Sequence, residues 1–184
     1  MTSTQENIER FQSALGQFVI QFSELEFSLL YFCGVIDHPR NENLGIKENL
    51  RSTFDQRRKK ISEFIRVELP EIAEKWNVIN EKLGNINRDR RFLIHGIGRE
   101  NFIQHYVKAF IPQKNSVDFK EFSIADIKKL SDQITHLLNG DNGLSGEFII
   151  LFKTKRFDLH NRTTKLNNKI IYKVNGEVMT EIKE

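Results

Sequence analysis

The sequence predicts a mainly α fold: a helical bundle with a small β insert and a C-terminal β hairpin or arm. Three observations carry this. Apolar residues step by three and four along most of the first 95 positions, the spacing of one helix face. After Gly98 the pattern changes to runs rich in aromatic and β-branched residues. Near the end, Asn175-Gly176 sits between two apolar-rich runs, the strongest short signal for a hairpin. These observations divide the chain into a helical domain over 1–140, with a β insert at about 99–120, and a basic β extension over 141–184.

The first element is the most periodic. Ile8, Phe11, Leu15, Phe18, Phe22, Leu25, Leu29, Phe32 and Ile36 alternate steps of three and four, so they share one stripe. Ser3 and Glu6 have the spacing of a capping box at its start, and Pro39 stops it, because the residue before a proline avoids helical geometry. The stretch 41–50 reads as a linker into a second helix whose buried side is Leu50, Phe54, Ile61, Ile65 and Leu69. Pro70, followed by Glu71 and Glu74, is suited to a helix start. Ile72, Trp76, Ile79, Leu83 and Ile86 then mark a third helix, on whose stripe Arg90 takes the next slot, with Gly96 as the cap after His95. Residues 102–111 read as a strand. Residues 123–138 form a further helix, with Ser123 and Asp126 placed as a capping box. Segments 147–159 and 169–182 both read as β.

Bulk composition narrows the function class. A chain of 184 residues suits one domain with a real core. No apolar run reaches the roughly 18 residues of a membrane span, and the first ten residues lack the pattern of a signal peptide. A membrane partner is therefore not expected. One cysteine, Cys33, allows neither an internal disulfide nor a multi-cysteine zinc site, which fits a reducing cytoplasm. No cofactor or metal is called for. The net charge of +3 permits an anionic partner without requiring one.

Chemistry-bearing residues concentrate in NRDRRFLIHG, positions 87–96, where three arginines crowd a short apolar run. Arg90 on a core stripe must reach water or an anion, since a buried unpaired charge is expensive. Glu26 lies among apolar neighbours on the first helix and could meet Arg90 or Arg88 if that helix packs antiparallel to the third. His95 is pulled two ways: the neighbouring cations favour the neutral imidazole, the helix end the charged one. Arg88 and Arg91 are supporting candidates. The run Arg57, Arg58, Lys59, Lys60 spans more than one helical turn, so most of it must face solvent or a partner. Lys153, Lys155 and Arg156 begin a stretch to Lys173 with seven cations against one Asp. Both runs would suit a phosphate backbone, whose contacts with Lys and Arg are salt-sensitive and sequence-independent. An imidazole and a guanidinium together suit one reaction in particular. The imidazole moves the proton as a ribose 2′-oxygen attacks the adjacent phosphorus, and the guanidinium holds the phosphate oxygens.

The stretch RRFLIHG, Arg90 to Gly96, resembles the R-x4-6-H element of HEPN domains, and FSELEFSLL, 22–30, resembles the first long helix of small bacterial members of that family. The resemblance covers roughly residues 5–140. It implies an antiparallel helical bundle, a homodimer whose two motifs share one cleft, and a metal-independent endoribonuclease with His95 as acid/base and Arg90 as phosphate clamp. It further implies RNA as substrate, a toxin–antitoxin or anti-phage setting, and an antitoxin or other regulatory protein as partner. The family usually carries Asn, Asp or His directly after the arginine. Here that residue is Arg91, and Arg88-Asp89, with six residues before His95, is the second fit to the motif. The alternative is a non-catalytic dimeric module that uses the same cleft to bind RNA, a nucleotide or a protein. A third reading makes Glu26 and Arg90 a buried structural pair.

Overall fold

A computed structural model describes residues 3–95, 97–101, 106–112, 116–140, 143–144, 146–167, 169–174 and 177–182. The chain is mainly helical. Its elements in order are α1 (Ser3–Asp37), α2 (Glu42–Asn49), α3 (Phe54–Glu68), a single 3-10 turn (Pro70–Ile72), α4 (Ala73–His95), β1 (Ile97–Asn101), β2 (Tyr106–Pro112), β3 (Val117–Ser123), α5 (Ile124–Asn139), α6 (Glu147–Asn167), β4 (Lys169–Val174) and β5 (Glu177–Ile182). The first three strands form an antiparallel sheet in the order β1-β2-β3, and β4 pairs antiparallel with β5.

The stripe on α1 is the centre of the core. Phe18, Phe22, Leu25, Leu29, Phe32 and Cys33 are all buried. The span Gln5–Asp37 has the length and mean hydropathy of a membrane-crossing helix, contrary to the sequence reading, yet half of that apolar window is buried inside the bundle. A core helix meets the same measure. α3 starts on a capping box, with Thr53 Oγ1 accepting from Gln56 N and Gln56 Oε1 accepting from Thr53 N. It runs antiparallel to α4: Asp55 bonds Asn87, Arg58 bonds Asn80, and Ser62 accepts from Trp76 Nε1. α4 also runs opposite to α1, because Trp76 stacks on Phe148 at the level of Phe32 while Arg90 lies over Phe22.

The structure corrects several expectations. The linker 41–50 holds a helix, α2. Its close packing on α1 rests on two glycines, since a Cβ on Gly45 would run into the backbone of Gly34. Leu50, expected on the buried side, lies outside α3 and is 58% exposed. The β insert is a three-stranded sheet, 97–123, rather than one strand near 102–111. The largest difference is at 147–159, read as β and found as α6. Its apolar run has no clear period, which leaves strand and helix indistinguishable from sequence. Tertiary contact decides. Phe148 and Phe152, four apart, both enter the core, where Phe152 meets Phe32 edge-on at 4.9 Å and Phe64 at 5.7 Å. The expected basic β extension over 141–184 is therefore β only from Lys169 on, and its first part is a helix in the same core as α1. Gly96 and the pair Asn175-Gly176 lie outside the described residues; β4 and β5 flank the latter.

Candidate active site at the end of helix α4

Helix α4 ends at His95, and that ending brings the motif together. On a continuous helix Arg90 and His95 would point about 140° apart. At the terminal turn they meet instead: Arg90 Nη1 lies 3.1 Å from His95 Nε2. A guanidinium has only donors. As a hydrogen bond, this contact has Nε2 as its acceptor. His95 is exposed and Arg90 half-buried, so both are open to a ligand.

Among the described residues, Arg90 is held from below by an aromatic ring. Its guanidinium carbon lies 5.0 Å from the centroid of Phe22, and Phe22 stacks on Phe54 at 5.2 Å. A guanidinium over a ring face is oriented yet keeps its edge N–H groups for other acceptors. Among the described residues Glu26 forms no ion pair with Arg90 or Arg88; its backbone carbonyl accepts instead from Arg57 Nη1 at 3.3 Å. The sequence reading missed Phe22 because it searched α1 for a countercharge. Phe22 shares the α1 stripe with Glu26's buried neighbours, and the antiparallel pairing of α1 and α4 points to it.

The residues around the pair have separate duties. Arg88 is exposed and bonds Asn85 on its own helix at 2.9 Å, and Arg91 is exposed. Asp89 accepts from Lys120 Nζ at 2.6 Å, which fastens β3 to α4, and Asn87 is buried and donates to Asp55. Of the two candidate arginines, Arg90 is the one that contacts His95.

No protein-family model, curated protein or solved structure matches this chain. The site is therefore argued from its own geometry.

Among the described residues, the cations of the two basic runs expected to meet RNA are largely engaged inside the fold. Arg57 is 8% exposed and donates to Ser52 Oγ at 3.1 Å, Glu26 O at 3.3 Å and Leu50 O at 3.4 Å. Arg58 bonds Asn80 through its side-chain and backbone oxygens and pairs with Asp55. Lys60 lies 2.6 Å from Asp37 and 3.0 Å from Asn49 Oδ1. Lys59 alone in this run is well exposed, with Glu63 at 3.8 Å. On α6, Lys153 donates to Tyr31 Oη at 2.6 Å, a bond that raises its pKa, and lies 3.8 Å from Glu42. Lys155 pairs with Glu71 at 2.9 Å and so holds that carboxyl below its usual range. Arg156 donates twice to Ile36 O, and burial pulls its guanidinium below its ordinary value. Such runs look alike in sequence whether they meet solvent, RNA or the chain's own carbonyls. Among the described residues, no group of three or more His, Cys, Asp or Glu side chains is placed to hold a metal ion.

Proposed function

We propose that this chain is a HEPN-like, metal-independent endoribonuclease that works as a homodimer, with His95 and Arg90 at the reacting phosphodiester. The observation that carries the reading is the 3.1 Å contact between Arg90 Nη1 and His95 Nε2 at an exposed helix end. A phosphate entering there offers Arg90 stronger, charged acceptors than an imidazole lone pair. The guanidinium turns to two phosphate oxygens and Nε2 is released. Nε2 then takes the proton of the ribose 2′-hydroxyl as the 2′-oxygen bonds to phosphorus. The phosphorus–O5′ bond breaks, and the O5′ leaving group takes a proton from an imidazolium, supplied by the second copy's His95 in a shared cleft. The products are a 2′,3′-cyclic phosphate and a 5′-hydroxyl. Arg90 stabilises the added charge on the phosphate oxygens as it develops.

The test uses purified protein, a mixed RNA pool and EDTA. Cyclic-phosphate ends are expected. Cleavage should fall by about 10²–10⁴-fold in His95→Ala, the range for losing a general acid–base group, with the circular dichroism spectrum unchanged. Products ending in 3′-hydroxyl, or full activity in His95→Ala, would overturn the reading. A toxin or anti-phage role and a neutralising protein partner follow from the resemblance alone; growth arrest on expression, relieved by His95→Ala, would support them. The non-catalytic alternative draws on Arg91, which occupies the place of the polar residue usual after the motif arginine. RNA retained without cleavage, and released by salt, would favour it.

A further inference from the structure

Three helices meet at Arg90. Phe54, the first residue of α3, stacks on Phe22 of α1 with the ring centroids 5.2 Å apart and the planes 24° from parallel, and the guanidinium of Arg90 on α4 lies over Phe22 at 5.0 Å. Phe18, one turn back along α1, packs against Phe22 at 6.1 Å. All three rings are buried, whereas Arg90 is half-buried at the open end of its helix. The helices are also tied together within a turn of the stack. Arg57 on α3 donates to Glu26 O, four residues on from Phe22, at 3.3 Å. Asn87 on α4, three residues before Arg90, donates at 3.2 Å to Asp55, the neighbour of Phe54. These ties hold the ring and the guanidinium in register across the three helices.

We infer that Phe22 is a positioning residue for the reaction: its ring keeps hold of Arg90 while the guanidinium turns from His95 to the phosphate. This rests on the nuclease reading above and gives a role to a residue on α1, far from the motif in sequence. The argument is one of charge and direction. A carboxylate in the ring's place would bond the guanidinium N–H groups and offset their charge, so it would compete with the phosphate on both counts. A ring face attracts the same cation through its quadrupole and engages no particular N–H. The charge stays available, and the N–H groups that reach His95 Nε2 can turn to two phosphate oxygens over the same ring. Phe54 and Phe18 back the ring, so the motion belongs to the guanidinium and not to its support. Lysine does not meet the same demand, because a compact ammonium offers neither a plane to lie over the ring nor a fork to grip two oxygens.

The experiment replaces Phe22, in the full chain, by phenylalanines carrying one, two and three ring fluorines. Fluorine withdraws electron density from the ring face and weakens its attraction for a cation in steps, with little change of shape. With a labelled RNA in EDTA, kcat/KM should fall at each step, by about 2- to 30-fold once the attraction is lost, while the melting temperature holds. Phe22→Leu should lose at least as much, and Arg90→Lys should be no more active than Arg90→Ala. A second readout is independent of cleavage. The Nε–Hε resonance of Arg90, identified by its absence in Arg90→Lys, should be displaced upfield by the ring and should return in Phe22→Leu to the position of the exposed arginines. Equal kcat/KM across the fluorinated series, with RNA cleaved by the parent, would overturn the inference and leave the nuclease reading standing. An Arg90 resonance that Phe22→Leu leaves in place would overturn it as well. A parent that cleaves no RNA overturns the nuclease reading, and a ring-dependent Arg90 resonance in that protein would still support the hold of Phe22 on the guanidinium.

Discussion

Arg57 separates a structural cation from a nucleic-acid contact, and its replacement by alanine has a size that can be worked from the geometry. The guanidinium joins three parts of the fold: Glu26 O on α1, Leu50 O in the turn after α2, and Ser52 Oγ ahead of α3. Hydrogen bonds from a charged donor contribute about 1.5–3 kcal/mol each when short. At 3.3 and 3.4 Å the two carbonyl bonds belong at or below the bottom of that range. Removing the side chain also removes a charge that was costly to bury, which offsets part of the loss. The net expectation is a destabilisation of about 3 kcal/mol, or a drop in Tm of about 6–12 °C for a chain of this length. Urea unfolding followed by circular dichroism measures it. Lys59→Ala is the control, expected within about 0.5 kcal/mol because the side chain is exposed and its partner distant. An Arg57→Ala protein that unfolds like the wild type but binds RNA more weakly would refute the structural reading and restore Arg57 to the RNA surface.

Other expectations follow from single contacts. Gly45→Ala should lower stability by about 1–3 kcal/mol, because its methyl group meets main chain of Gly34 that cannot swing aside; thermal melting checks this. Phe152→Ala should cost about 3–5 kcal/mol, since the ring fills the junction of α1, α3 and α6; a loss under about 1 kcal/mol would show that α6 is not part of the core. Burial pushes the Cys33 thiol up to about 11, so it stays protonated and should resist alkylation at neutral pH until urea unfolds the chain. Ser123 holds the Asp126 carboxyl below its ordinary value of 3.8; this contribution is present above that pH and is lost as the pH falls through the depressed folded value, so Ser123→Ala should destabilise at pH 7 by about 1 kcal/mol and by less in acid.

The sequence was most legible where one physical demand dominated. The stripe from Phe11 to Ile36 had a single period and a single solution, and Ser123 with Asp126 had the spacing of a capping box and formed one. The end of α4 was legible for the same reason: an arginine on an apolar stripe needs an outlet, and the helix terminus provided it. Failures came where local pattern was silent and distant contact decided. The run 148–152 has strand-like composition, and only the rings of Phe32, Phe64 and Trp76 make it a helix. The α2 helix was hidden because its packing face is a glycine, which carries no hydrophobic signal. Glu26 was chosen as Arg90's neighbour on charge; the structure chose Phe22 one turn earlier.

The distribution of cations also bears on how such a site would hold RNA. Arg57, Arg58 and Lys60 tie α3 to α1, α4 and the α2–α3 turn, and Lys153, Lys155 and Arg156 tie α6 to α1, α2 and the turn before α4. Breaking those bonds to meet phosphate would forfeit stability, so they contribute little to counterion release. Among the described residues, the cations left to a nucleic acid at the end of α4 are few: Arg88, Arg90 and Arg91. Salt dependence scales with the number of phosphates neutralised. One protomer should therefore show a shallow salt slope of about −2 with single-stranded RNA, from about 0.7 per phosphate and about three contacts. A shallow slope leaves affinity to be supplied by uncharged contacts. A steep slope would mean that the tied lysines and arginines open on binding, and the stability losses expected for Arg57 and the α6 cations would then reappear as losses in affinity.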